Sequence, residues 1–167
     1  MNQLDLALLI LRVALGATIA VHGINKVKGG LAGTGQWFES MGMRPGRIHG
    51  PLAAFTEIGA GAMIVAGLLL PLACAAMVSL MLVAIWVAHR KNGFFIFNKD
   101  GGWEYCAFLA ATAVSLGMLG AGRWSLDCWL DIHITGWNRT LITVGVGLVS
   151  AVSLLAACYR TPPAKPT

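Results

Sequence analysis

The sequence predicts an all-α fold, a polytopic bundle of membrane-spanning helices, and three observations carry that prediction. Of 167 residues, 57% are hydrophobic and 11% charged, with a mean hydropathy of +0.72, far from the balance of a water-soluble domain. Five runs of about 18 or more mostly apolar residues hold over half the chain. These runs are continuous rather than alternating, which excludes the segments of about ten residues that build a membrane β-barrel.

The first span runs from about Leu4 to His22. It opens with Asp5 rather than a basic segment and carries Arg12 in its middle, so it reads as a retained helix and not as a signal peptide. Residues 23–51 form a long glycine-rich connection. Within it, Trp37, Phe38 and Met41 of TGQWFESMGM recur at helical spacing, predicting a short helix in the membrane interface, with a lid or a docking surface as alternatives. The run GGLAGTG lacks the G-K-[ST] of a phosphate-binding loop, and flexibility is its expected role. The second span, Leu52 to Leu70, and the third, Leu72 to His89, meet at Pro71 in a tight helical hairpin.

A short connection, 90–104, leads to the fourth span, Tyr105 to Ala121. In the interfacial loop 122–139, Trp124, Trp129 and Trp137 belong at headgroup level. Asp127 and Asp131, at i and i+4 with His133 nearby, read as a solvated amphipathic turn, and no metal is expected there. The fifth span covers Leu141 to Tyr159, within 140–159, and RTPPAKPT, 160–167, reads as a disordered tail. Cys74, Cys106, Cys128 and Cys158 form no C-x-x-C pair, which argues against a zinc or dithiol motif; Cys74 with Cys128 is a weak candidate for a disulfide.

Five spans place the termini on opposite sides. Nine basic residues, among them Lys26, Lys28, Arg44, Arg47, Arg90 and Lys99, fall on one face, and two, Arg123 and Arg139, on the other. Basic residues are retained on the cytoplasmic side, so the expected topology has the N-terminus outside and the C-terminus cytoplasmic. The net charge of +5 follows from this asymmetry and from attraction to lipid headgroups, and gives no case for nucleic acid.

Ionisable groups within a span are costly and need partners. At 1.5 Å per residue Arg12 lies deeper from the cytoplasmic end of its span than Glu57 does, and the two long side chains are expected to bridge that gap as an ion pair. His22, Glu57, His89 and Glu104 all fall near the cytoplasmic ends of their spans. With Lys26, Asn92 and Asn98 they make a candidate polar pocket, and Trp86, one turn before His89, is expected to wall it. Small residues about Glu57 (Ala53, Gly61) and on the first span (Gly16, Gly23) permit close helix approach. The bland alternative is that these groups are helix-end residues that snorkel or lock the packing.

A quinone suits such a pocket, since it needs apolar walls, hydrogen-bond donors and proton carriers. A small oxyanion held by Arg12 and Lys26 is a second reading, and a haem ligated by His22 and His89 a remoter one.

The segments LRVALGATIAVHGINKV (11–27), TEIGAGAMIVAGLLLP (56–71), AIWVAHRKNGFF (84–95) and GGWEYCAFLAATAVSLGMLGAGRWSLD (101–127) together resemble the DoxX family of small bacterial membrane proteins. The resemblance implies a four-helix transmembrane core over residues 1–127, to which the fifth C-terminal transmembrane helix is added, and residence in the bacterial cytoplasmic (inner) membrane. Relatives include a subunit of thiosulfate:quinone oxidoreductase and proteins associated with membrane oxidoreductase complexes. By similarity, Arg12, His22, Lys26, Glu57, His89 and Glu104 match the family's polar set. The leading expectation is a membrane subunit of a redox system with other membrane or redox subunits as partners and a quinone as possible ligand. The alternative is a non-catalytic scaffold that anchors a larger complex through its fifth span.

Overall fold

In the computed structural model, which describes residues 2–162, the spans are helices and their ends differ from the sequence expectation by up to two turns. Helix α1 (Gln3–Lys28) starts at Asn2, whose side chain accepts the Leu4 N–H at 3.1 Å. Helix α2 (Leu31–Ser40) lies in the first connection. Helix α3 (Gly46–Ala66) begins nearly two turns before Leu52, with Pro51 inside it, and ends at Gly67, in the left-handed region at φ +64°. Helix α4 (Leu70–His89) closes the hairpin, its last turn, Ile85–His89, widened to a π-turn. Helix α5 (Glu104–Leu119), the one-turn α6 (Leu126–Trp129) and α7 (Trp137–Cys158) complete the chain. By length and composition α1, α3, α4 and α7 are able to cross a membrane, and α5 is a shorter apolar helix beside them.

Helices α1, α3, α4 and α5 form the core and α7 packs outside on α4. Glycines set the closest approaches. A Cβ on Gly16 or on Gly61 would lie 2.5 Å from the other's carbonyl oxygen, and one on Gly23 equally near Ala54 O, so α1 and α3 meet backbone to backbone. This contact aligns Lys26 with Glu57. The expected flexibility of GGLAGTG is not what the fold uses: most of this run lies in α2, and its Gly35 is packed against Gly46 and Gly50 of α3.

Three further expectations are corrected. The loop 122–139 does not lie wholly in the interface, because its first half turns inward and Asp127 is buried. The segment read as a tail is anchored where it begins: Arg44 N donates to Cys158 O (2.9 Å) and Arg160 N to Gly42 O (2.8 Å), while residues 163–167 of that tail lie outside the described residues. The Cys74 and Cys128 thiols are free, one buried in the core and the other exposed.

Candidate functional site

The polar residues of the spans divide between two places. The first is a cavity of about 770 Å³ near the end of the bundle that carries α2. Ile19, Leu80, Met81, Ala84 and Leu109 wall it with apolar surface, and Trp37 and Phe38 of α2, ring centroids 5.1 Å apart, stand at its edge. His22, Lys26, Glu57 and His89, four of the expected pocket residues, line it.

Within the cavity, the Lys26 ammonium donates to both oxygens of the Glu57 carboxylate. Glu57 is 7% exposed and Lys26 25%, so this is an ion pair shielded from water on one side. The His22 ring lies 6.1 Å from Tyr105, centre to centre. His89 Nδ1 is 2.9 Å from Gly101 O; a carbonyl only accepts, so Nδ1 carries the hydrogen and donates. His49, 6% exposed, makes the same kind of contact through Nε2 with Arg44 O at 3.3 Å. The arrangement offers imidazoles, an ammonium and a phenol as donors, and a carboxylate as proton acceptor, around an apolar space. The sequence reading missed His49, Tyr105 and Cys106 as lining residues. Tyr105 had a signal: it follows Glu104 at the start of its helix, on the level of His22.

Arg12, Trp86 and Glu104 do not join this site. Trp86 faces outward and stacks under the Arg90 guanidinium, 4.1 Å from its centroid. The α-helical spacing that would align Trp86 with His89 fails because both lie in the π-turn, whose i→i+5 bonding shifts the phase of the side chains. Glu104 accepts from Ile96 N at 3.0 Å and fastens the 90–103 connection.

The expected Arg12–Glu57 pair does not form. Arg12, 1% exposed, lies at the opposite end of the bundle and donates through Nη2 to Trp124 O. Its guanidinium lies against Gly67, where any Cβ would collide with it, and within electrostatic reach of Asp127. Asp127 in turn accepts from Leu69 N (2.6 Å) and Leu70 N (3.0 Å), capping the first turn of α4, and returns its own N–H to Gly67 O (2.9 Å). Asp5 accepts from Arg123 N at 3.0 Å. These contacts clasp loop 122–132 over the α3–α4 turn. Asp131 is turned away to His133, 2.7 Å distant, so the i, i+4 pair of carboxylates does not converge.

A sequence profile of the DoxX family matches residues 7–90, which spans α1 to the end of α4 and covers half of the chain. No curated protein and no solved structure matches.

Proposed function

The chain belongs to the DoxX family, and from that premise we propose that it is a membrane subunit of a redox-linked system which binds a quinone in the cavity between α1, α3, α4 and α5. The cavity is the observation that carries this reading. Its volume lies within the roughly 300–1,000 Å³ of small-molecule sites, its walls are apolar, and its few polar groups converge from separate helices. Several lining residues, Leu52 and Trp37 among them, are about half exposed on the outer surface of the bundle, so the space is open sideways, where a membrane-dissolved ligand arrives.

The residues supply binding and proton handling. His22 and Tyr105 are placed to donate to a ring oxygen, and Glu57, held by Lys26, is a proton acceptor near the same wall. Reduction of a quinone takes two electrons and two protons; the electrons come from a partner redox subunit and the protons through these groups. With Arg12 elsewhere and Lys26 engaged by Glu57, a free oxyanion finds no unpaired cation among the described lining residues, which favours the quinone over the anion. The orientation that goes with this reading puts the α2 end, where the basic residues gather, in the cytoplasm.

One observation favours the accessory role. Only 17% of the apolar window of α7 is buried within the chain, against 33–56% for α1, α3 and α4, leaving a face free for a neighbouring subunit.

The test is purification in mild detergent, an absorption spectrum, solvent extraction of quinone, and titration with a decyl-tailed benzoquinone followed by Trp fluorescence quenching. Saturable quenching that weakens at least tenfold in His22→Ala is the expected result. Absence of quinone and of saturable binding, together with firm co-purification of other subunits, establishes the scaffold instead. A haem absorption band would replace the quinone with a His22- and His89-ligated haem.

A further inference from the structure

The cavity has a second polar wall. Thr56 of α3, Ser79 of α4 and Ser150 of α7 all line it. Hydroxyls within apolar helices usually turn back to a carbonyl one turn earlier, as Thr112 does to Phe108 O (2.8 Å) and Ser115 to Ala111 O (2.9 Å), while Thr143 reaches across to Pro71 O (3.3 Å). Among the described residues, the hydroxyls of Thr56, Ser79 and Ser150 bond to no protein group.

Their depth matches that of the charged wall. Counting at 1.5 Å per residue from the Gly67 turn, Thr56, Glu57 and Ser79 lie roughly 15–17 Å in, half the thickness of an approximately 30 Å hydrocarbon core. Ser150, two turns beyond Thr143 and hence beyond the level of Pro71, reaches the same height. So does His22, ten residues past Arg12, which sits at the level of the turn. Thr56 and Glu57 are adjacent on α3 and diverge by about 100° around its axis, so they line different parts of one space. Helices α3 and α7 both pack on α4, and the three residues line the one cavity.

We infer that Thr56, Ser79 and Ser150 form a second hydrogen-bonding pole, facing the His22, Lys26 and Glu57 pole at the middle of the membrane, and that the ligand is therefore a ring with oxygen atoms on opposite sides, a 1,4-dioxygenated quinone or quinol. This rests on the quinone reading and adds to it the residues that take the second oxygen. Hydroxyls both donate and accept, so this pole holds the carbonyl of the oxidised ring and the hydroxyl of the reduced one without a change of charge.

The test compares two probes with the same tail, decyl-benzoquinone and 4-decylphenol, on the detergent-purified chain and on the triple variant Thr56→Val, Ser79→Ala, Ser150→Ala. Each substitution removes an oxygen and little volume, and the variant is first checked for an unchanged melting temperature. Expected is a loss of about tenfold in quinone affinity with phenol affinity held within twofold, the size of one to two neutral hydrogen bonds. Unchanged quinone binding in the triple variant, or equal weakening of both probes, overturns the second pole while leaving the quinone reading intact. Absence of quinone binding in the unaltered chain overturns both.

Discussion

Replacing Asp127 by Asn tests whether the clasp at the Asp5 end is held by charge. Asn keeps the shape and one acceptor oxygen, so one of the two bonds from Leu69 N and Leu70 N is lost, and a bond of this charged kind is worth about 1.5–3 kcal/mol. The Arg12 guanidinium also loses the carboxylate beside it; stripping a buried charge of its partner costs up to about 3–5 kcal/mol, reduced here because Arg12 retains Trp124 O. Together these give a destabilisation of about 3 kcal/mol. The assay is denaturant titration in detergent, followed by reaction of a thiol dye with Cys74, fully buried and released only on unfolding, in a Cys106→Ser, Cys128→Ser, Cys158→Ser background. Arg12→Met and the double variant complete a cycle. Coupling of at least about 1 kcal/mol is expected, since Met removes the orphaned charge. Additive losses, within about 0.5 kcal/mol, would refute the charge clasp and leave Asp127 as a helix cap alone.

Lys26→Met leaves Glu57 buried without its cation and is expected to cost about 2–3 kcal/mol in the same titration, much of it recovered in Lys26→Met, Glu57→Gln. Gly61→Leu pushes α1 from α3 where no Cβ fits, and gel filtration is expected to show loss of the monodisperse folded form. Trp86→Ala is expected to leave quinone affinity within twofold, because its ring stacks on Arg90 outside the cavity. With the orientation proposed, a membrane-impermeant maleimide labels Cys128 in intact spheroplasts, and labelling only after lysis would reverse the topology.

Much of the bundle is legible in the sequence because span formation in a bilayer is decided locally: a continuous apolar run has to satisfy its own backbone as a helix. The hairpin at Pro71, the small residues between α1 and α3, and the convergence of His22, Lys26, Glu57 and His89 follow from spacing and depth in the same way. Partner assignment does not. Depth counting separates Arg12 and Glu57 along the axis by a gap that two long side chains can bridge, while Asp5 lies seven residues from Arg12 on the same helix and nearer the outer water, so the count favours Glu57. Asp127 was available, yet its loop read as interfacial from its tryptophans, and only the folded chain shows the loop turning back over Gly67.

The sequence by itself therefore determined which segments are helices, which end of the bundle is basic, and which polar residues lie at a common height. Tertiary structure alone decided how each is turned about its helix axis. Hydropathy and residue counting report height, whereas the choice of partner among residues of one height depends on azimuth, and azimuth is set by contacts distant in sequence: the glycine seam that brings Lys26 to Glu57 and the π-turn that sends Trp86 outward.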